Sequence, residues 1–182
     1  GAYSGYMTSY PDTPLALKAA RYFGAVYTAN EADLKKAFGC CILAGQNLAV
    51  DTNQGSCSYT KKSSTSPSSQ LSGAVIPTAL NLMEVYEFRY NKGITDYLCA
   101  GDATYNLDVA LSYGINWLQT QAYDNVGGGF GHGGTSSVVE TALVYQLLLL
   151  ADPTNPAVQT AQDYLVSYLE TIQLNNARLG DE

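Results

Sequence analysis

The stretch VGGGFGHGG, residues 126–134, decides how this chain is organised, because it separates two segments that have the periodicity of helices. It contains six glycines, Phe130 and the only histidine of the chain, His132. A phosphate-binding loop of the Walker type would require a preceding strand and a lysine followed by serine or threonine, and the sequence predicts neither. Glycine permits the positive φ angles of tight turns, so the stretch is predicted to join two helices around Phe130. A loop that lines a ligand site is the alternative.

The rest of the chain consists of predicted helices and loops, with no predicted strand. Apolar spacing and capping signals such as Asp12-Thr13-Pro14 predict six helices. These helices cover residues 14–29, 30–46, 76–90, 104–121, 136–151 and 157–174. Residues 60–73 (TKKSSTSPSSQLSG) are rich in serine and predict a long surface loop inserted between helices.

The predicted helices repeat along the chain. The apolar pattern of residues 34–46 recurs at a constant offset in residues 107–119, so that Gln46 aligns with Gln119, and it recurs again in residues 158–170. Periodic self-similarity of this kind marks stacked helical repeats.

The helices between these copies repeat as well. Residues 75–80 (VIPTAL) match residues 138–143 (VVETAL), and a glycine follows the second helix of a pair at Gly55 and at Gly128. The predicted fold is therefore all-α, with three antiparallel helix pairs in a single α/α repeat domain over residues 1–182.

Residues 116–131 (NWLQTQAYDNVGGGFG) resemble the repeat of the squalene-cyclase and protein-prenyltransferase superfamily, in which a helix ends in a Trp-Leu and Gln signature and Gly-Gly-Phe or Gly-Gly-Trp follows. The matching residues are Trp117, Leu118, Gln119, Gln121, Gly128, Gly129 and Phe130. Gln46, Gly55 and Cys57 form a degraded copy. The resemblance implies part of an α/α toroid, since three helix pairs are fewer than the family uses to close its ring.

The catalytic motifs of the resembled superfamily are missing from this sequence. It contains neither the DxDD motif of the cyclases nor the Gly-Cys-Gly-Glu-Gln motif of complement-like thioester domains. No Asp or Cys stands at ligand spacing from His132, as the zinc site of the prenyltransferases would require. We therefore expect neither a metal nor another cofactor.

Composition limits the classes of partner. Hydrophobic residues make up 46% of the chain and charged residues 14%, which is typical of a globular domain. The net charge of −7 disfavours binding to nucleic acid and to anionic lipid. No apolar run approaches the roughly 20 residues that span a bilayer. Because the chain begins with Gly1 rather than methionine, we expect a processed protein that is secreted or displayed at the cell surface.

Four cysteines bear on the redox environment: Cys40, Cys41, Cys57 and Cys99. Adjacent cysteines rarely bond each other, because the ring would be strained. In an oxidised chain, Cys40 and Cys41 would therefore pair with Cys57 and Cys99 in one of two arrangements, giving at least one disulfide. Buried free thiols are the alternative.

Candidate catalytic residues are few. His132 could act as a general base with Asp124 or Glu140, because imidazole titrates near neutral pH. An exposed loop histidine is the alternative. Asp102 and Asp108 could form an acid pair, or could cap the fourth predicted helix.

Tyrosines are the candidate binding and assembly residues, and they fall on an N-terminal arm (residues 1–11) and on two helices. The candidates are Tyr3, Tyr6, Tyr10, Tyr22 and Tyr86. They could line a binding cavity or cross an interface between copies, and core packing is the alternative for the helical ones. The exposed end faces of the stack are predicted to be a stripe with Val158, Leu165 and Leu169, or one with Leu15, Ala19 and Tyr22.

Two functions follow as hypotheses. The first is a noncatalytic extracellular helical-repeat domain that acts in self-assembly, up to a filament, or in binding a glycan or other extracellular ligand. The second is a carbohydrate-active enzyme of the α/α-toroid type, a polysaccharide lyase or hydrolase. The enzyme would need at least two functional groups within hydrogen-bonding reach of each other.

Overall fold

The structure is a computed structural model that describes residues 12–22, 45–47, 50–59, 73–91, 93, 96–98 and 104–179. Within these residues the prediction of an all-α fold is confirmed. The α-helices are α1 (Asp12–Tyr22), α2 (Val75–Tyr86), α3 (Leu107–Trp117), α4 (Val138–Ala151) and α5 (Pro156–Leu179). A π-helical turn extends α2 over Glu87–Asn91, and another extends α3 over Leu118–Ala122.

Several predicted segments lie outside the described residues. They are the N-terminal arm (1–11), most of the second predicted helix (30–46), the end of the first (23–29) and the serine-rich loop except Gly73. The last helix begins near its predicted start and continues to Leu179, beyond the predicted end at residue 174.

The prediction of no strands was wrong at one place. Two strands of three residues, β1 (Asp96–Leu98) and β2 (Thr104–Asn106), pair in antiparallel fashion with Tyr97 opposite Tyr105. The fourth helix therefore begins at Leu107 and not at residue 104. The reason is a cap: the side chain of Asn106 accepts a hydrogen bond from the backbone N–H of Val109 at 3.0 Å, which fixes the helix start.

α2 is the central helix of the described residues. It contacts α1, α3 and α4, and α4 also contacts α5. The core between these helices is apolar, with Leu82, Leu118 and Leu147 almost completely buried. Closure of the helices into an α/α toroid remains a prediction.

The glycine stretch joins α3 to α4, as predicted. Phe130 is fully buried in the core, where it contacts the ring of Tyr123 with centroids 5.2 Å apart. Positive φ angles occur at Gly128 (77°), Gly133 (64°) and Gly134 (73°), which are the conformations that a side chain would strain.

Candidate functional site

Two joints of the molecule make the same hydrogen bonds to the helix that follows them. The first joint is formed by residues 46–47 and 50–57 with the start of α2, and the second by residues 123–130 with the start of α4. The hydroxyl of Thr78 accepts a hydrogen bond from Cys57 N at 2.7 Å, and the hydroxyl of Thr141 accepts one from Phe130 N at 2.8 Å. Thr78 and Thr141 are the threonines shared by VIPTAL and VVETAL, so the hydrogen bonds confirm the predicted correspondence of these two helices.

The turn of each joint also uses the same pattern. Gly55 N donates to Asn47 O at 2.6 Å with φ +93°, and Gly128 N donates to Asp124 O at 2.8 Å with φ +77°. Asn47 is therefore equivalent to Asp124, so that Gln46 is equivalent to Tyr123.

This alignment corrects the predicted register, in which Gln46 matched Gln119. Aligning Gln46 with Tyr123 instead of Gln119 shifts the register by four residues, which is about one helical turn. The apolar sequence pattern therefore fits one helical face in either register. The first joint contains a longer loop, from Asn47 to Gly55, and that insertion accounts for the shift.

Each joint also contacts the second helix that follows it. Gln46 is buried, and its side-chain amide donates to Ala110 O on α3 at 2.7 Å and to Gly55 O at 2.8 Å. At the second joint, Tyr123 OH lies 3.2 Å from the hydroxyl of Thr160 on α5. The joints therefore connect one helix pair to the next, which is the role expected of a repeat motif.

Asp124, a predicted partner of His132, organises the second joint instead. Its Oδ1 accepts from the N–H groups of Val126 and Gly127, both at 2.9 Å. Its Oδ2 accepts from the hydroxyl and the N–H of Ser136 at 2.8 and 3.2 Å. The N–H of Gly127, the Ser136 hydroxyl and the N–H of Val126 together lower the pKa of Asp124 to about 2.

His132 contacts Glu140 with its backbone N–H and not with its imidazole. His132 lies exposed at the start of the 3₁₀ turn His132–Gly134, and its backbone N donates to Oε2 of Glu140 at 3.2 Å. The imidazole makes no hydrogen bond to any described residue.

A residue that the sequence analysis missed, Tyr59, stands near Glu140. Burial raises the pKa of Tyr59, and the negative charge of Glu140 raises it further. No periodicity marks the segment that carries Tyr59, so its position could not be read from spacing.

A groove opens between the two joints, and we call it the Trp117 groove. Its volume is about 180 Å³. Its lining residues are Asn53, Gly73, Val75, Trp117, Gln121, Ala122, Gly131, His132 and Gly133. Trp117 is 6% exposed, and its indole N–H is buried without a hydrogen-bond partner. An unpaired buried donor costs about 1–3 kcal/mol, so this N–H lowers the stability of the fold locally.

A second cavity, of about 250 Å³, lies on the other side of the same π-helical turn. Gln119 lines this cavity with Tyr123 and Thr160, whereas Gln121 lines the Trp117 groove. The two glutamines of the repeat motif therefore face different spaces.

Cys57 is a buried free thiol, so the predicted disulfide at Cys57 is not present in the structure. Its side chain lies in the core beside Thr78 and Asn81, and burial raises its pKa to about 12. Both polar atoms of the Asn81 side chain are buried without a partner in hydrogen-bond geometry. The other cysteines, Cys40, Cys41 and Cys99, lie outside the described residues.

The remaining candidates are distributed over the molecule. Asp108 forms an ion pair with Arg89 at 2.8 Å, and Asp102 lies outside the described residues, so no acid pair is seen. Tyr22 is 87% exposed on α1, whereas Tyr86 is half-buried and its ring lies 4.8 Å from that of Tyr90. Tyr3, Tyr6 and Tyr10 lie outside the described residues.

In the part of the chain that the structure describes, no group of three or more His, Cys, Asp or Glu side chains is placed to hold a metal ion. None of the described helices has both the length and the apolar character needed to cross a bilayer.

Comparison of the chain with protein-family models, with curated proteins and with solved structures finds no match. The resemblance to the squalene-cyclase and protein-prenyltransferase superfamily thus remains a prediction.

Proposed function

We propose that the chain is a noncatalytic extracellular helical-repeat domain that acts in self-assembly through its helical faces. The observation that carries this proposal is the apolar stripe of α5. Val158 packs against the core and Ala161 is fully buried in it, while Leu165, next on the same stripe, is half-buried. Tyr168 and Ile172 continue the stripe at the same alternating spacing of three and four residues, and they are 43% and 38% exposed.

The exposed residues of this stripe continue along α5 directly from the residues that pack against the core. Leu169 (59% exposed) and Val166 (45% exposed) widen it. Glu170 is the only charged residue between positions 164 and 173, and it lies about 140° from Leu165 around the helix, at the edge of the stripe beside Val166. A second copy that offers a helical face would extend the contact between α4 and α5 with this charge at its edge.

Part of the predicted end face needs correction. Val158 packs against the core and Leu165 is half-buried, because α5 contacts α4. Leu169 is exposed as predicted. On α1, Leu15 (48%), Ala19 and Tyr22 (87%) are exposed.

Light scattering coupled to size exclusion tests the assembly over a range of concentrations. The wild-type mass should exceed that of a monomer and rise with concentration, and Leu169→Asp with Ile172→Asp should remain monomeric. Leu169→Asp alone is compared with Ser167→Asp, which adds the same single charge on the opposite face of α5. A wild-type monomer at every concentration, or equal dissociation by Ser167→Asp, would rule out this interface.

The noncatalytic part of the proposal is supported by the groups around His132. Both oxygens of Asp124 accept hydrogen bonds from the joint, and Glu140 meets His132 at the backbone. The extracellular part is supported by composition alone, with 15 tyrosines against nine lysines and arginines.

A carbohydrate-active enzyme is the second candidate function, favoured by the proximity of Glu140 to both His132 and Tyr59. Incubation with polysaccharides should release reducing ends or unsaturated products if this candidate is correct. Turnover that is lost in Glu140→Gln and in His132→Ala would replace the noncatalytic proposal.

A further inference from the structure

We propose that copies of this chain associate head to tail, with α1 of one copy packed on an open face of α4 of the next copy. This inference rests on the proposed self-association and names the partner surface for it. The open face of α4 is at least partly exposed, is apolar except for one glutamine, and spans about 100° of the helix. Its residues are Val139, Ala142, Gln146, Leu149 and Leu150.

The repeat shows what kind of surface covers this face elsewhere in the chain. In the alignment of VIPTAL with VVETAL, Ala142 and Gln146 of α4 are equivalent to Ala79 and Met83 of α2. Ala79 and Met83 are both buried, and α4, the equivalent helix of the next pair, contacts α2. The corresponding face of α4 is open, so it would accept a further helix of the same kind.

α1 is a helix of this kind. Residues 14–17 (PLAL) match residues 77–80 (PTAL) at the same offset that relates α2 to α4. Leu17 is thereby equivalent to Leu80, both are buried, and α1 contacts α2 as α2 contacts α4. The three helices α1, α2 and α4 are therefore successive copies of one element.

The first and last of these three helices are open on opposite sides. Tyr22 of α1 is equivalent to Val85 of α2 and Leu148 of α4, which are buried, but Tyr22 is 87% exposed. Leu15, at the position of the joint threonines, is also exposed. Packing α1 of one copy on α4 of another would cover both open sides with the kind of contact that α2 and α4 make within the chain. Such a contact is heterologous, so it continues from copy to copy unless the rotation closes a ring.

The charges of the two sides also favour this pairing. Residues 138–173, which carry the open face of α4 and the stripe of α5, include acidic residues but no lysine, arginine or histidine. α1 contains Lys18 and Arg21 against Asp12, and Lys18 is exposed about 60° from Leu15 around the helix, at the edge of the open side. A symmetric contact between two α4–α5 surfaces would bring only acidic residues together, whereas the head-to-tail contact brings acidic and basic residues together.

Two variants that each damage one side of the contact test this arrangement. Leu15→Glu changes the open side of α1 and Val139→Glu changes the open face of α4, and both place an acid in the first turn of a helix, where the dipole favours it. Each variant alone should remain monomeric in light scattering at concentrations where the wild type assembles. An equimolar mixture should form a dimer of twice the monomer mass and nothing larger, because only one intact α1 and one intact α4 can meet. Val109→Glu, at an exposed valine in the first turn of α3, is the matched control and should assemble like the wild type.

The outcomes separate this contact from self-association in general. Circular dichroism would establish that all three variants are folded. Assembly of Leu15→Glu alone to the wild-type mass, absence of the mixed dimer, or an equal loss of assembly in Val109→Glu would overturn the head-to-tail contact while the wild type still assembles. A wild type that stays monomeric at every concentration would instead reject the proposed self-association, and this inference with it.

Discussion

The two joints share one hydrogen-bond pattern and differ in what they bury. At the second joint the core positions are Phe130 and Val144, both fully buried and apolar. At the first joint the corresponding positions are Cys57 and Asn81, and the amide of Asn81 has no partner. A joint of this kind is therefore defined by its glycine turn and its threonine hydroxyl, while the side chains beneath it can vary.

Substitution of the turn glycine should give the largest difference in stability between the two joints. A Cβ at Gly55 would lie 2.1 Å from the carbonyl oxygen of Tyr113, whereas a Cβ at Gly128 would lie 3.5 Å from that of Thr160. Gly55→Ala should therefore lower the free energy of unfolding by more than about 4 kcal/mol, because backbone must move as well as φ. Gly128→Ala has only the positive φ to overcome and should cost about 1–2 kcal/mol.

Urea unfolding of the two glycine variants measures this difference. Equal losses at Gly55 and Gly128 would show that the close approach of Gly55 to α3 does not constrain the first joint.

The threonine hydroxyls test what the joints share. Thr78→Val and Thr141→Val each remove the acceptor of a buried loop N–H while keeping the size of the side chain. Each should lower the free energy of unfolding by about 1–3 kcal/mol. Thr→Ser at the same positions keeps the hydroxyl and serves as the control. If either Thr→Val variant lowered the free energy of unfolding by less than about 0.5 kcal/mol, the threonine hydroxyl would not stabilise the two joints equally.

Exchange of the buried residues sharpens the comparison further. Asn81→Val gives the first joint the residue of the second and removes two unpaired polar atoms, so it should raise the free energy of unfolding by about 1 kcal/mol. The reciprocal Val144→Asn should lower it by about 1–3 kcal/mol. Thermal and urea unfolding of both variants decide the point, and destabilisation by Asn81→Val would show that the Asn81 amide has an unrecognised favourable role.

The helices and the glycine turn could be predicted from the sequence, because apolar spacing and glycine directly reflect local backbone geometry. The burial of Phe130 could be predicted for the same reason. The register between copies could not, since a shift from Gln119 to Tyr123 preserves the apolar face.

The candidate site was less accessible to prediction. The role of Asp124 depends on Ser136, which lies twelve residues away, and the Trp117 groove depends on Asn53 and Gly73 from a distant loop. The spacing of residues within one segment does not predict such contacts.

The smallest expected difference between the joints is their response to acid. Asn47 stands at the first joint where Asp124 stands at the second, so only the second joint has a titratable group at this position. The pKa of Asp124 is lowered from 3.8 to about 2 by its hydrogen bonds in the folded chain. The carboxylate therefore contributes to stability above about pH 4, and this contribution is lost as the pH falls toward 2. Asp124→Asn, which makes the second joint resemble the first, should flatten this part of the pH dependence. Urea midpoints of wild type and Asp124→Asn between pH 2 and 6 measure the effect, and parallel curves for the two proteins would show that the hydrogen bonds to Asp124 do not favour its charged form.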